Sequence, residues 1–372
     1  MWIWEQPNWP TFTYDQTQLQ PLLRDVVFLQ GKLNGRCDTF DIRQHVLDNI
    51  LANIIYSSDI EGEKLDARSV RSSLANHLGI SDDAPFPIDQ KTQGLVESAL
   101  DAISNLEKTL TAERLCQWHA LMFPSNESLF NKIAVGCFRT NSIQVVSGRL
   151  DKPTIHFEAL PAEQVPHEIE QFLSWFNRSH HDSTLDPILR AGIAHLWFLT
   201  IHPFDDGNGR IGRLIMDLAL AQAEKTTVRL YAMSQRINEQ KKQYYQILEQ
   251  SQRGNVDLTQ WLIWFISTLR SAINETLQQI QLTIEKTKYW SRFDQRILRP
   301  EQLKVLNRML DGDFADGINN RQYMAVGKVS RSSATRHLAE LVEHGFLEEG
   351  ASGGRSTRYR LSQEPLFTGS WC

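Results

Sequence analysis

The chain has 372 residues, of which 41% are hydrophobic and 22% are charged, as expected for a globular protein of two or three domains. Its net charge of -5 argues against wholesale nucleic-acid binding, although it is compatible with a local basic patch. The four cysteines, Cys37, Cys116, Cys137 and Cys372, are too far apart in sequence to suggest a disulfide framework or a zinc site. We therefore expect a cytoplasmic protein with no signal peptide and no membrane-spanning segment.

The first hundred residues are predicted to be helical after a short aromatic arm. Residues 1–15 hold five aromatic side chains and two prolines, which predicts an extended arm that packs on the rest of the protein. Apolar spacing then predicts one helix over about 15–35 and another from about 38 to 57–62. Ser57 and Glu61 share one face at the end of this second helix. An acid is unfavourable there, so Glu61 must be either solvated or compensated by a cation.

The middle of the chain alternates helices with one predicted hairpin. We expect helices over 65–78, 89–106 and about 115–122, with a proline-containing loop at 81–87. Residues 143–146 are short, apolar and mostly β-branched, and Ser147-Gly148 follows them. This predicts a strand that pairs with residues 154–157.

Two further helices lead into the most unusual stretch of the sequence. The first covers about 168–177, and the second begins at the capping pair Asp186-Pro187 and runs over 188–201. The second helix is apolar almost all round, which predicts that it lies in the core and that His195 is a core histidine rather than a ligand. It delivers His202 at its C-terminal end.

Residues 202–213 read His-Pro-Phe-Asp-Asp-Gly-Asn-Gly-Arg-Ile-Gly-Arg. Helical spacing resumes after Arg210, so a glycine-rich loop runs into a helix N-terminus, where free N–H groups attract anions. Arginines beside such a terminus suit a polyphosphate, Asp206 suits Mg²⁺, and His202 suits general-base catalysis. A plain turn between helices would need one glycine and one asparagine, but not the histidine, carboxylate and arginines. The residue types favour a phosphoanhydride-handling catalytic loop.

This loop resembles the signature of the Fic family, His-Pro-Phe-x-Asp/Glu-Gly-Asn-Gly-Arg-x-x-Arg, and every fixed position matches. The resemblance implies a helical-bundle core with a β-hairpin flap that holds a target chain by strand addition. It implies a nucleotidyltransferase, usually one that moves AMP from ATP onto a protein hydroxyl. The implied roles are proton acceptor for His202, Mg²⁺ ligand for Asp206, and phosphate binding for Gly207, Asn208, Gly209, Arg210 and Arg213.

The resemblance also suggests an interpretation for residues in three other segments. Ser57 to Gly62 is similar to the family's inhibitory motif Ser/Thr-x-x-x-Glu-Gly/Asn, which implies that Glu61 pairs with Arg213 and blocks the ATP γ-phosphate. Tyr244 and Tyr245 belong to a helix predicted over 234–252, near the family's adenine contacts. His156, in the second hairpin strand, is interpreted as a flap residue with no chemical role.

The C-terminal part changes character after a long predicted helix over 258–290. Helices over 300–310, 320–326 and 331–345, followed by strands at 346–348 and 357–361, resemble a winged helix-turn-helix. The third helix opens with Arg331, Ser332, Ser333, Thr335 and Arg336, and Arg355, Arg358 and Arg360 make the wing basic. These side chains suit DNA contacts, while a winged helix used for a dimer or protein contact remains equally open.

The sequence therefore predicts a mainly α fold: an N-terminal helical domain (1–106), a Fic-type core with a hairpin flap (107–290) and a winged-helix domain (296–365). The predicted function is AMP transfer from ATP, with Mg²⁺, to a Tyr, Ser or Thr of a target protein or of the chain itself. Removal of AMP at the same site, with Glu61 orienting water, is one alternative. DNA-binding regulation through residues 296–365 is another. A kinase reaction, in which ATP binds in the reversed orientation, is a third alternative. It is disfavoured because related kinases carry a lysine where Gly209 stands. The partners that we consider are also a second copy of the chain, in a homodimer, and DNA. We expect no membrane contact.

Overall fold

The computed structural model describes residues 1–37, 43–80, 85–124, 133–149, 152–350 and 357–362. They are mainly helical, with two small antiparallel sheets, as predicted. The chain divides into two compact units, residues 1–275 and 276–372. The helices up to this division are α1 (Gln16–Cys37), α2 (Arg43–Ile60), α3 (Ala67–Leu78), α4 (Gln90–Ser104), α5 (Ala112–Met122), α6 (Val165–Ser179), α7 (Pro187–Ile201), α8 (Asn208–Glu224), α9 (Met233–Glu239), α10 (Lys241–Gln252) and α11 (Thr259–Trp290), which continues past it.

The predicted core helix is confirmed. Asp186 caps α7 by accepting from the Ile188 backbone N–H at 2.8 Å, and every residue from Ile188 to Ile201 is buried. Helix α8 packs closely against α7, and a Cβ on Gly212 would lie 3.0 Å from a methyl carbon of Leu199. His195 is a core histidine, since its Nδ1 lies 2.9 Å from the Gly212 carbonyl oxygen. The helix that ends at His202 is thus held rigidly on all sides.

The predicted hairpin is also confirmed, but its first strand is longer than expected. Strand β1 (Gln144–Arg149) pairs antiparallel with β2 (Lys152–Glu158), and β1 continues through Ser147 and Gly148. The register places Gly148 opposite Pro153, so the pairing continues beyond the apolar run that marked the strand in the sequence. A bulge lies between Val145 and Val146.

The single helix predicted over 234–252 is wrong. The chain forms two helices, α9 and α10, which are broken at Gln240 with φ −110° and ψ 25°. Helix α9 packs on α2, whereas α10 contacts β2, and one straight helix could not bury both faces. Tertiary packing therefore overrides the continuous helical pattern.

The aromatic arm is packed as expected, although a 3₁₀ turn at Ile3–Glu5 interrupts it. Trp9 and Phe12 meet Trp197 of α7 edge to face, with ring centroids 6.2 and 5.4 Å apart, respectively. Trp2 meets Phe157 of β2 in the same way at 5.4 Å. These contacts bury the aromatic surface that the prolines keep out of a helix.

The second unit contains the three predicted short helices and the second hairpin. These elements are α12 (Pro300–Leu310), α13 (Asn320–Gly327), α14 (Arg331–Glu343), β3 (Leu347–Glu349) and β4 (Tyr359–Leu361). Their shared core includes Leu306, Tyr323, Leu338 and Phe346. Ser330 caps α14 by accepting from the Ser333 backbone N–H at 3.2 Å, as predicted.

Of the side chains predicted to suit DNA contacts, those of α14 are largely exposed, but one in the wing is used within the fold. Arg331, Ser332, Thr335 and Arg336 of α14 are exposed. The guanidinium of Arg358, however, donates to the Gly317 carbonyl oxygen at 2.8 Å and so braces the unit's own fold. DNA binding by this unit and the three predicted domain limits stay predictions.

Some sequence predictions fall outside the described residues. These are the start of the second helix at 38–42, part of the proline-containing loop at 81–84, and the wing turn at 352–355 with Arg355. Among the described residues, no helix is long and apolar enough to cross a membrane.

Candidate active site

His202 ends helix α7 in an unusual backbone conformation. Its N–H still donates to the Phe198 carbonyl oxygen at 3.0 Å, but its φ of 50° and ψ of 59° lie in the left-handed region. Non-glycine residues seldom adopt this conformation, and it persists where the surroundings hold it in place. The turn directs the chain from the core helix into the loop before α8.

Arg139 supplies much of that restraint through its side chain and its backbone. Its buried guanidinium donates to the carbonyl oxygens of His202 at 2.7 Å, Asn141 at 2.8 Å and Leu160 at 2.7 Å. Its backbone N–H donates to the Pro203 carbonyl oxygen at 2.9 Å. Arg139 thus joins the segment that precedes β1 to the backbone of the histidine. In the sequence, Arg139 ends the string Gly136-Cys137-Phe138-Arg139, whose Gly-x-Phe-Arg pattern resembles one that the Fic family carries before its hairpin, but the string does not specify these contacts.

The ring of His202 is poised to accept a proton. Its Nδ1 lies 3.3 Å from the Leu199 carbonyl oxygen, a partner that places the hydrogen on Nδ1 and leaves Nε2 as the acceptor. Burial lowers the pKa of His202 to about 4, although the bond to Leu199 opposes the shift. The imidazole is therefore neutral at about pH 7, the form a general base requires.

The loop that follows is closed by its own asparagine. The Asn208 carboxamide accepts from the Phe204 N–H at 2.9 Å and donates to the Phe204 carbonyl oxygen at 2.7 Å. The side chain of Asn208 is buried, and its amide oxygen and amide nitrogen each bond to Phe204. The side chain therefore closes the loop, and the backbone N–H of Asn208 lies in the first turn of α8, where a phosphate can bind.

His119 supports the same loop through contacts with Phe204 and Asp206. Its ring stacks on Phe204 with centroids 4.4 Å apart, and its Nε2 lies 3.2 Å from the Asp206 carbonyl oxygen. Its Nδ1 accepts from the Gly136 N–H at 2.9 Å. The two bonds together place the ring hydrogen on Nε2. A buried histidine with both nitrogens engaged is a fixed support rather than a proton carrier.

Helix α8 begins at the end of this loop with free backbone donors. Gly207 is its N-cap with φ of 79°, and a Cβ there would lie 2.9 Å from the Phe123 ring. The first N–H groups of a helix have no partner within it, so those of residues 208–210 can bind an anion. Asp206 is exposed beside them, with one carboxylate oxygen 2.6 Å from the Gly207 nitrogen.

The residues around Asp206 fit a magnesium ion held jointly with phosphate. Mg²⁺ keeps few protein ligands, commonly one or two carboxylates, and takes the rest of its oxygens from phosphate and water. Asp206 is such a carboxylate next to the anion-binding helix terminus. In the described part of the chain, no cluster of three or more His, Cys, Asp or Glu forms an all-protein metal cage.

Glu61 meets Arg213 at the mouth of α8. The carboxylate Oε1 accepts from Arg213 Nη2 at 2.7 Å, and Ser57 Oγ accepts from Arg213 Nε at 2.8 Å. A Cβ on Gly209 would lie only 2.0 Å from the same Oε1, so the carboxylate rests directly over the first turn of α8. Of the two alternatives for this acid, solvation or a compensating cation, the structure shows the cation, and it is the one that the family resemblance implied.

The electrostatics favour the charged form of this glutamate. Burial alone would raise the pKa of Glu61. The charge and hydrogen bond of Arg213, with smaller effects from Arg210 and His202, hold the pKa below the ordinary value. A part of the side chain, 32%, is still exposed to the neighbouring cavity.

The end of α2 is fastened to α9 and α10 next to this contact. Asn238 and Lys241 bond to Asp59 at 2.9 and 3.1 Å, respectively. Tyr245 donates its hydroxyl to the Ile60 carbonyl oxygen at 3.0 Å. The Tyr244 hydroxyl instead lies 3.0 Å from His195 Nε2 in the core. Both tyrosine hydroxyls therefore bond to the protein itself, and both side chains line the cavity described next.

A cavity of about 560 Å³ brings His202, Glu61 and Gly209 together with the hairpin and α10. Asp206, Arg210 and Arg213 do not line it. On the α10 wall the sequence predicted Tyr244 and Tyr245 but not Leu248, Glu249 and Gln252, although all five lie on one helix face. The wall includes Tyr244, Leu248, Glu249 and Gln252, opposite Val145, Val146, His156 and Phe157 of the hairpin.

Comparison with known proteins agrees with this geometry. Residues 109–220 match the Fic/DOC family, and residues 2–80 match a domain of unknown function, DUF4172. The chain thus contains a Fic/DOC domain. A crystal structure of a Fic family protein from Desulfovibrio desulfuricans G20 shares the fold of this Fic protein, with a TM-score of 0.53, 20% identity, and coverage of 93% of this chain and 97% of that one.

Two curated relatives are similar in sequence to this Fic protein. The protein adenylyltransferase Fic of Drosophila sechellia is 36% identical over 248 residues, which are 65% of this chain and 45% of the relative. That of Drosophila yakuba is 27% identical over 250 residues, 66% of this chain and 45% of the relative. The chain thus spans less than half the length of these relatives.

Proposed function

We propose that this Fic protein transfers AMP from ATP to a Tyr, Ser or Thr hydroxyl of target proteins, and of itself, and that Glu61 restrains the reaction. One observation carries the proposal. His202 opens onto the same cavity as the first turn of α8, and Glu61 covers that turn while it holds Arg213. A base and an anion-binding helix terminus on one cavity suit attack on a phosphate.

The transfer forms one bond and breaks one. The target hydroxyl oxygen attacks the α-phosphorus, the bond from that phosphorus to the bridging oxygen breaks, and pyrophosphate leaves. His202 Nε2 takes the hydroxyl proton. The N–H groups of residues 208–210 hold the phosphate oxygens, and Asp206 is the ligand that would hold Mg²⁺, which neutralises phosphate charge when bound.

Arg213 is the residue through which Glu61 inhibits the proposed reaction. A guanidinium is well suited to the outermost phosphate of ATP, since it forms paired charged hydrogen bonds. In the described structure Glu61 and Ser57 occupy it, and it is only 1% exposed. Glu61 must leave before Arg213 can bind the nucleotide, so the pair sets the resting activity.

The hairpin provides a place for the target chain. Val145, Val146 and Ile155 are 38%, 50% and 38% exposed, respectively, on strands that border the cavity. An extended target segment can add along such a hairpin and present its hydroxyl to His202. The ring of Tyr245 and the side chain of Leu248, on the opposite wall, would face the nucleoside.

A Glu61→Gly variant incubated with ATP, Mg²⁺ and cell lysate tests the proposal. Mass spectrometry should find AMP on Tyr, Ser or Thr, and the Glu61→Gly/His202→Ala variant should show none. Release of AMP from modified proteins, lost rather than gained in Glu61→Gly, would instead support the reverse reaction. That reaction is the alternative because Glu61 faces the cavity beside His202.

A further inference from the structure

The turn after α2 places two glutamates, not one, against the start of α8. Gly62 has φ of 81°, and the N–H groups of Gly62 and Glu63 donate to the carbonyl oxygens of Asp59 and Ser58, each at 3.0 Å. This is a Schellman arrangement, which needs a glycine at the left-handed position. It reverses the chain so that Glu61 and Glu63 flank Gly62 and both reach the catalytic loop.

Glu63 lies between two cations. Its Oε2 is 2.8 Å from Arg210 Nη1, and its other oxygen pairs with Lys91 of α4. The Arg210 side chain is 5% exposed and lies over the Phe123 ring at 4.8 Å. Its Nε is buried without a partner among the described atoms. Arg210 is therefore held in place and still has an unused donor.

We propose that Arg210 and Lys91 form a phosphate subsite, that Glu63 occupies it in this structure, and that an outer phosphate of the nucleotide replaces Glu63 there. This inference rests on the proposed function and extends it. The family signature assigns Arg210 to the phosphates, whereas Glu63 and Lys91 lie outside the signature and the inhibitory motif.

The argument is one of charge compensation. The Arg210 side chain is buried, whereas Glu63 is 24% and Lys91 42% exposed. Removing Glu63 would leave the buried Arg210 charge uncompensated, so Arg210 favours an anion at that position. A phosphate oxygen satisfies both a guanidinium and an ammonium group, as the carboxylate does here. Glu63 and Glu61 thus compete with one nucleotide at two arginines, which are three residues apart on α8.

Calorimetric titration of α,β-methylene-ATP with Mg²⁺ into full-length variants tests this, since the methylene bridge prevents transfer. The reference is Glu61→Gly. Adding Glu63→Gln should tighten binding roughly fivefold or more, because a charged competitor is removed. Adding Lys91→Met to that double variant should weaken binding by a similar factor. AMP, which lacks the outer phosphates, should bind all three variants alike.

Lys64→Met is the matched control for Lys91→Met, because Lys64 is an exposed lysine next to Glu63. Thermal melting checks the folding of each variant, and Glu63→Ala replaces Glu63→Gln if the latter melts early. The inference is overturned if Glu63→Gln leaves the affinity unchanged, or if Lys91→Met has no more effect than Lys64→Met. A Glu61→Gly reference that binds no analogue would instead overturn the proposed function itself.

Discussion

Glu61 and Arg213 are 152 positions apart in the sequence, yet their charged groups lie 2.7 Å apart at the mouth of α8. The contact uses Arg213, the arginine that we propose binds the end of the triphosphate. It also sets the Glu61 carboxylate over Gly209, in the space where phosphate oxygens would approach the helix terminus. In the proposed mechanism, the stability of this pair therefore determines how readily the nucleotide site opens.

Ser57→Ala should raise AMP transfer a few-fold. Its hydroxyl accepts from Arg213 Nε at 2.8 Å and helps to keep the guanidinium in the paired position. A hydrogen bond of this kind contributes about 1 kcal/mol net. Initial rates of label incorporation from ATP measure the change. Ser58→Ala is the control, because the Ser58 hydroxyl is buried with no partner among the described atoms; an equal rise in both variants would contradict the prediction.

Tyr245→Phe should also raise the rate, by roughly twofold to tenfold, because it removes the hydrogen bond to the Ile60 carbonyl oxygen that fastens the end of α2. The phenyl ring that would face the nucleoside is kept. Tyr244→Phe is its matched partner. It removes the buried bond to His195 and should lower the unfolding free energy by about 1 kcal/mol, with a smaller rise in rate than Tyr245→Phe because the bond to Ile60 is kept. Rates and urea unfolding measured on both variants would show whether the two effects separate in this way.

Arg139→Met should lower both stability and activity. It leaves the carbonyl oxygens of His202, Asn141 and Leu160 without their donor, at a cost of a few kcal/mol. It also frees the left-handed turn at His202. Differential scanning calorimetry and transfer rates in the Glu61→Gly background measure the two losses. Arg178→Met, which removes an exposed arginine of α6, should change neither.

The rate of transfer should not fall in the pH range where an ordinary histidine becomes protonated. The base must be neutral, and burial places the pKa of His202 at about 4, so the ring stays neutral as the pH falls from about 8 to about 6. In the Glu61→Gly variant, kcat/KM should therefore be level across that range. A fall with a midpoint near 6.5, the ordinary histidine value, would show that His202 is not held as described.

Short-range patterns predicted most of the elements and the residues of the loop. The Gly-rich string, the cap at Asp186 and the spacing of Ser57 and Glu61 are all local, and each lies where the sequence placed it. The supports of the site are not local. Arg139 reaches His202 across 63 positions and Arg210 reaches Glu63 across 147, and no periodicity encodes such contacts. The break at Gln240 was missed for the same reason, since it depends on what α9 and α10 pack against.

The central claim is that the base at His202 directs a hydroxyl to the α-phosphorus of ATP. It is tested most directly by incubating the Glu61→Gly variant in parallel with α-labelled and γ-labelled ATP and measuring label on protein. We predict label from the α position only, roughly five- to 150-fold above that with the unmodified chain, and none with Glu61→Gly/His202→Ala. Label from the γ position, or none at all from a variant that still binds ATP, would contradict the account.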